Sequence, residues 1–241
     1  MNHSFRTVSE ISVCNEDLWS GSVFLTIDID WACDEVLADT IDLVERADVC
    51  STWFVTHETP LLERLRRNPK FELGIHPNFN KLLQGDGSNG RSVEEVFERV
   101  LEIVPEARAA RSHSLMQSTP LHKLFAERKI THECNCFIPA HADMDLRPWS
   151  LWKTLTIVPL FWEDDLSMMY DIKTPLHNLV RKNGLKVFNF HPIHVFLNTE
   201  SLERYERARK YYHIASDLQR FRNAAGTGMR TELENLLGLT E

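Results

Sequence analysis

Apolar positions follow two rhythms along the first half of the chain. A β-branched, apolar run at residues 23–29 ends in acids, and residues 34–47 then set Val36, Leu37, Ile41, Val44 and Ala47 at helical spacing. A strand followed by a helix is predicted. The order repeats: 51–55 reads as a strand, 60–67 as a helix, 71–75 as a strand and 92–104 as a helix. In the last of these Val93, Val96, Phe97, Val100, Leu101 and Val104 form the buried stripe, and Ser92 with Glu95 forms a capping box. Such alternation favours a parallel sheet covered by helices, wound into a barrel or left open.

The middle is less regular. Between residues 131 and 165, three prolines, three tryptophans and several acids predict strands joined by long ordered loops. A last strand is predicted at 185–190, a long helix at about 201–222 and a short helix after Gly228. Gly226-Thr227-Gly228 reads as a turn and not a phosphate loop, because no strand precedes it. Gly85-Asp86-Gly87-Ser88-Asn89-Gly90 reads as a flexible loop.

Composition narrows the class. At 241 residues, with 43% hydrophobic and 26% charged positions, the chain fits a single globular domain spanning 1–241. A net charge of −8 supplies no positive field for nucleic acid or an anionic membrane surface, so neither is an expected partner. The N-terminus lacks the basic start and apolar core of a secretion signal, and no apolar run reaches membrane-spanning length, so a cytoplasmic location is expected. Five cysteines are expected to be reduced thiols, and the lone Cys134-Asn135-Cys136 lacks the second pair of a structural zinc site. Oligomeric state is not readable from the sequence.

Candidate chemistry gathers at strand ends. Asp28 and Asp30, two apart, project from one face, and two acids there call for a cation unless the strand ends early and both are solvated. Glu72, Gly74 and His76 share a face, and Pro77 stops that strand just after the histidine. Arg111 and His113 form another i, i+2 pair, and Pro192 leaves His191 at the lip of the last strand. Each histidine alone is readily a structural residue. Together the four strand ends match the place where β/α barrels keep their active sites.

In order along the chain, Thr26-Ile27-Asp28-Ile29-Asp30, Ser51-Thr52-Trp53-Phe54-Val55, Glu72-Leu73-Gly74-Ile75-His76, Arg111-Ser112-His113 and Phe190-His191-Pro192 resemble the motifs of the polysaccharide deacetylase family. The similarity runs from about 22 to 198, leaving C-terminal helices at about 201–238 outside it. It is closest to the divergent branch of O-antigen and surface-polysaccharide biosynthesis clusters, through His76-Pro77-Asn78-Phe79 and His191-Pro192-Ile193-His194-Val195. The resemblance implies a single-domain α/β fold of distorted (β/α)7-type barrel architecture. It also implies a metal-dependent N-deacetylase, an amide hydrolase acting on an N-acetylated sugar intermediate that is nucleotide-linked, lipid-linked or a short oligosaccharide. In the implied roles Asp28 is the general base, Arg111 orients it, His191 is the general acid, and Asp30 and His76 hold a divalent metal, by default Zn2+.

The chain also departs from the family pattern. Asn80 stands where members carry a second metal-binding histidine, and His113 stands where proline is usual. Because imidazole is a good zinc ligand and an amide oxygen a weak one, His113 is the favoured third ligand, with His57, Asn80 and His194 as the others. His194, three residues from His191, would face away on a continued strand. Residues 160–165, aromatic then acidic, would line a sugar site and orient His191, or else pack as a loop. Trp31 would shield the metal or pack in the core. The alternative functions are hydrolysis of a non-sugar amide and sugar binding by a relative that has lost its metal.

Overall fold

The computed structural model describes residues 4–172 and 175–239. Ten strands run through these residues: β1 (Ser4–Phe5), β2 (Ser22–Asp28), β3 (Ser51–Val55), β4 (Phe71–Ile75), β5 (Ala109–Ala110), β6 (His132–Glu133), β7 (Trp149–Leu151), β8 (Leu155–Ile157), β9 (Trp162–Glu163) and β10 (Lys186–Phe190). All seven residues of β2 and all five of β3 and of β10 are buried. Burial on both faces is what a parallel sheet under helices demands, and it explains why these runs are apolar throughout and not alternating.

The strands lie in the order β7-β8-β6-β5-β4-β3-β2-β10-β9, with β1 beside β2, and every pairing is parallel except β7 with β8. The two ends of this path are nearly consecutive in the chain. Residues 158–160, between β8 and β9, still bond to the segment after β6: Val158 N donates to Glu133 O at 2.8 Å and Leu160 N to Cys136 O at 2.9 Å. Two residues later β9 pairs with β10. Taken as one bent strand, β8–β9 completes a ring with β2, β3, β4, β5, β6 and β10, and the sheet curls into the distorted α/β barrel that the family resemblance implies.

Helices cover the outside. The helix Asp34–Ala47 buries Val36, Leu37, Thr40, Ile41, Leu43 and Val44, carries Asp34 and Glu35 in its first turn, and ends on Asp48 with φ 55°. It packs against the helices Pro192–Leu197 and Met229–Leu237. The helix Val93–Ile103 has the predicted stripe but only half of the predicted capping box. Ser92 accepts from Glu95 N, whereas the Glu95 carboxylate reaches back to Arg91 N and not to the cap.

One expectation needs correction, and two further segments carry structure the sequence reading did not assign. The long helix at 201–222 is broken into Leu202–Ala208, a 3-10 turn at Arg209–Tyr211, Ala215–Leu218 and a second 3-10 turn at Gln219–Phe221. On one continuous helix Leu218 would point about 120° away from Tyr212. The break at Ile214 lets both side chains reach the core, where they are 0% and 8% exposed. The Gly85–Gly90 segment is organised, with a 3-10 turn at Gly87–Asn89 capped by Asp86 and tied by Lys81 to Ser88. The helix Thr119–Glu127 was not predicted, although Ser118 caps it and Leu121, Leu124 and Phe125 give it a helical stripe.

Gly226-Thr227-Gly228 is a turn, as expected. Gly228 lies so close to Asn198 O that an added Cβ would sit 2.1 Å from it. Among the described residues no helix is long and apolar enough to cross a membrane.

Candidate active site

Parallel strands in register deliver their C-terminal ends to one rim of the barrel, and alternation decides which side chains turn inward. On β2 these are Thr26 and Asp28, and on β10 Asn189, whose backbone pairs with Thr26. Beyond β5 the ladder continues: Arg111 N donates to Ile75 O at 3.0 Å and His113 N to Pro77 O at 3.0 Å.

Arg111, 0% exposed, reaches across the barrel interior. Its Nη1 donates to Asp28 Oδ1 at 2.9 Å, to Thr26 Oγ1 at 3.0 Å and to Asn189 Oδ1, and its Nε donates to Cys134 O at 3.3 Å. The guanidinium lies 4.5 Å from the centre of the Phe54 ring. Gly74 makes room for that ring, since a Cβ there would lie 2.7 Å from Phe54 and 2.9 Å from Ala109 O. Asn189 Nδ2 donates to the other oxygen of Asp28 at 3.0 Å. Asp28 is thus a buried carboxylate with each oxygen held by a fixed donor. Asn189 escaped the sequence reading, although its spacing of two from His191 on a strand was the signal that it points the same way.

Asp30 has a different environment. β2 ends at Asp28, Ile29 N makes one more ladder bond to Phe54 O at 3.2 Å, and the chain turns at Trp31. Asp30 Oδ2 accepts from His76 Nε2 at 3.0 Å and from His113 Nδ1 at 2.7 Å. Burial favours the neutral acid, but the charges and hydrogen bonds of the two imidazoles outweigh it and hold the Asp30 carboxyl far below the ordinary range. Burial likewise disfavours the His76 imidazolium, yet Asp28 and Asp30 raise its pKa. One atom from each of Asp30, His76 and His113 lies within 4.8 Å of the others, a geometry in which three donors can hold one ion.

Among the described residues neither His57 nor His194 falls in this group. Asn80 Nδ2 donates to Ser114 Oγ at 2.9 Å, and His57 Nδ1 pairs with Thr56 Oγ1 at 2.7 Å. His194 does not lie on a continued strand, because the chain enters the helix Pro192–Leu197 directly after His191. His194 is buried with its ring centre 5.9 Å from that of His191 and 4.8 Å from that of Tyr205, and burial lowers its pKa.

His191 Nδ1 donates to Asp164 Oδ1 at 2.7 Å, and His191 N donates to Asp164 Oδ2 at 2.7 Å. Burial opposes protonation of this imidazole, but the charge and hydrogen bond of Asp164, followed by Asp165 and Asp28, hold its pKa well above the ordinary value. Its Nε2 lies 3.9 Å from Asp28 Oδ2, and His76 Nδ1 approaches the same oxygen to 3.8 Å. Of the segment read as sugar-lining, Phe161 and Trp162 are instead in the core. Trp162 packs 4.8 Å from Phe190, on the face of the sheet opposite to Asn189, as the pairing of β9 with β10 requires.

The aromatic residue at the rim is Trp31, with its backbone at φ 58° and its ring stacked 5.2 Å from His191 and edge-on to His113 at 5.6 Å. A left-handed conformation at a bulky residue costs about 1–3 kcal/mol and persists where packing enforces it. These side chains open on a cleft of about 280 Å³, lined also by Ser112, Leu115, Glu163, Asp165, Leu166 and Met169. All five cysteines are free, and Cys134 and Cys136 serve the sheet.

Comparison with known proteins bears on the family and the fold. The model of the WbmS-like polysaccharide deacetylase family matches residues 25–209. WbmS of Bordetella bronchiseptica, described as a polysaccharide deacetylase involved in O-antigen biosynthesis, is 46% identical over 99% of each chain and superposes with a TM-score of 0.93. A protein of Mycobacterium smegmatis described as a polysaccharide deacetylase is 18% identical over 90% of this chain and 91% of its own, with a TM-score of 0.49. No curated protein matches the chain. The family match over three quarters of the sequence, joined to near-complete structural overlap with the Bordetella protein, shows that the chain belongs to the polysaccharide deacetylase family, in its WbmS-like branch.

Proposed function

We propose that the protein is a metal-dependent N-deacetylase, cleaving the amide of an N-acetylated sugar intermediate during surface polysaccharide biosynthesis. One observation carries the reading. A two-histidine, one-carboxylate set, Asp30 with His76 and His113, lies beside a buried carboxylate fixed by Arg111 and an imidazole fixed by Asp164. The donor set fits a divalent ion: both imidazoles direct a nitrogen at one carboxylate oxygen, and the mixed nitrogen and oxygen donors suit zinc. Bound there, the ion would polarise the amide carbonyl and make water acidic enough to attack.

The protein's own groups supply the proton movements. Asp28 takes the proton of the attacking water through Oδ2, the oxygen that faces His76 and His191. Arg111 holds that carboxylate in place in the barrel interior, and Asn189 sets its orientation. His191, kept protonated by Asp164, gives its proton to the departing nitrogen as the carbon–nitrogen bond breaks. Trp31, over the two rim histidines, limits the access of bulk water. The likeness to the Bordetella protein supports a substrate from O-antigen assembly.

The test is metal analysis of chelator-free protein beside His76→Ala and His113→Ala, followed by acetate release from N-acetyl sugars. About one divalent ion per chain, lost in both variants, with acetate release by the wild type, supports the reading. A wild type that neither contains nor takes up zinc overturns it.

A further inference from the structure

Glu163 and Asp165 have no part in the proton transfers above, yet both line the cleft. Each can bring an oxygen to within 4.8 Å of a ring nitrogen of His191. Glu163 is only 7% exposed and its carboxyl hydrogen-bonds that of Asp165, and among the described residues no other group donates to Glu163 Oε2 or Asp165 Oδ1. A buried carboxylate without a donor is costly, and two side by side are costlier. Burial and the neighbouring Asp165 push the Glu163 carboxyl well above its ordinary value, while the charge of His191 draws that of Asp165 down despite its burial. The two carboxyls therefore lean on a shared proton and line the cleft as an acidic, acceptor-rich wall.

The reaction geometry decides what arrives there. His191 must touch the leaving nitrogen, and that nitrogen is bonded to the sugar ring. The ring therefore lies on the His191 side of Asp28, against Glu163 and Asp165. Among the described residues lining the cleft there is no lysine or arginine, and Arg111 is sealed beneath Asp28.

Resting on the deacetylase reading, we infer that Glu163 and Asp165 select the charge of the sugar residue that carries the scissile amide. They accept hydroxyl or ammonium donors of that sugar residue and reject a carboxylate or phosphate on it. The substrate class is a neutral or amino-bearing N-acyl sugar; any anionic carrier attached to it stays outside the cleft.

Three probes differing only in charge test this: N-acetylglucosamine, its 6-amino-6-deoxy derivative and its 6-carboxylate. Binding to the metal-loaded protein is followed by ligand-observed NMR, with acetate release measured in parallel. The expected order is ammonium at least equal to neutral, with the carboxylate weaker by about tenfold or more. In Glu163→Gln/Asp165→Asn the gap should close to about twofold, and in Asp165→Asn, the less buried single change, it should narrow. In the wild type the gap should also shrink with added salt, a readout that needs no variant.

A carboxylate probe bound as tightly as the neutral one, a gap that survives the double variant, or failure of all three probes to bind overturns the inference. The two readings fail separately. Acetate released freely from the carboxylate probe sinks the charge selection and leaves the deacetylase standing. The expected ranking without acetate from any probe supports the charge selection and sinks the deacetylase.

Discussion

Asp28 and Asp30 are the same residue type, two positions apart and both buried, yet they live in opposite chemical surroundings. Asp28 is gripped by a guanidinium and an amide, donors that do not titrate in the working range. Asp30 is gripped only by two imidazoles, donors that can give up a proton and turn a lone pair toward a metal instead. A carboxylate whose charge is permanently balanced keeps its other lone pairs for proton transfer. One balanced by groups that can deprotonate is ready to share an ion with them. The proposed division of labour between base and ligand thus follows from what faces each acid and not from the acids themselves.

The most damaging change to this contrast should be Asp28→Asn. It removes the base while leaving Asp30, His76 and His113 in place, so kcat should fall by about 10²–10⁴ with metal content unchanged, as turnover beside metal analysis would reveal. Loss of metal in this variant would mean that Asp28 is a ligand and that the two acids share one role. Arg111→Met tests the grip on Asp28. A buried charge stripped of its partner typically costs about 3–5 kcal/mol, a loss that denaturant unfolding would register. Restored stability in Arg111→Met/Asp28→Asn would show that the arginine serves the aspartate.

Asp164→Asn sharpens the comparison from the other rim. Because the His191 pKa is raised chiefly by Asp164 against burial, the acid form should persist to high pH, and activity should fall as pH rises through that raised value. Without Asp164 the fall should move to lower pH, a shift visible in the kcat profile; an unmoved basic limb would assign the proton to another group. The sign for stability is the same: the contribution of His191 is full below its unfolded-state pKa and is lost as pH climbs through the raised one. The smallest effect is expected of Gly74→Ala, which forces Phe54 toward Arg111 and should cost about 1–3 kcal/mol, read as a lowered Tm.

Much of this arrangement was legible in the chain because parallel strands impose a period of two. Asp28, Arg111 and His191 could be placed at strand ends from prolines and β-branched runs, and the helices of the first half from their stripes. What stayed hidden depends on relations across the sheet. Asn189 reads as an ordinary polar residue until β10 is set beside β2, and Asp164 is one of three consecutive acids until β9 is set beside β10. The break at Ile214 was invisible for a related reason: local sequence favours a helix there, and only the position of the core shows that Leu218 must turn back to reach it.

The bent strand β8–β9, where the curled sheet meets itself, also says something about how the site comes into being. Asp30, His76, Arg111 and His113 belong to the first half of the chain, whereas Asp164, Asn189 and His191 arrive with the last strands. β2 pairs with β3 a short way along the chain, but with β10 only across about 160 residues, a closure whose entropic cost delays it. The imidazole cluster can therefore assemble during early folding, while the proton donor joins when the barrel closes. Until then, on the proposed roles, the chain has a place for an ion and no means of turnover.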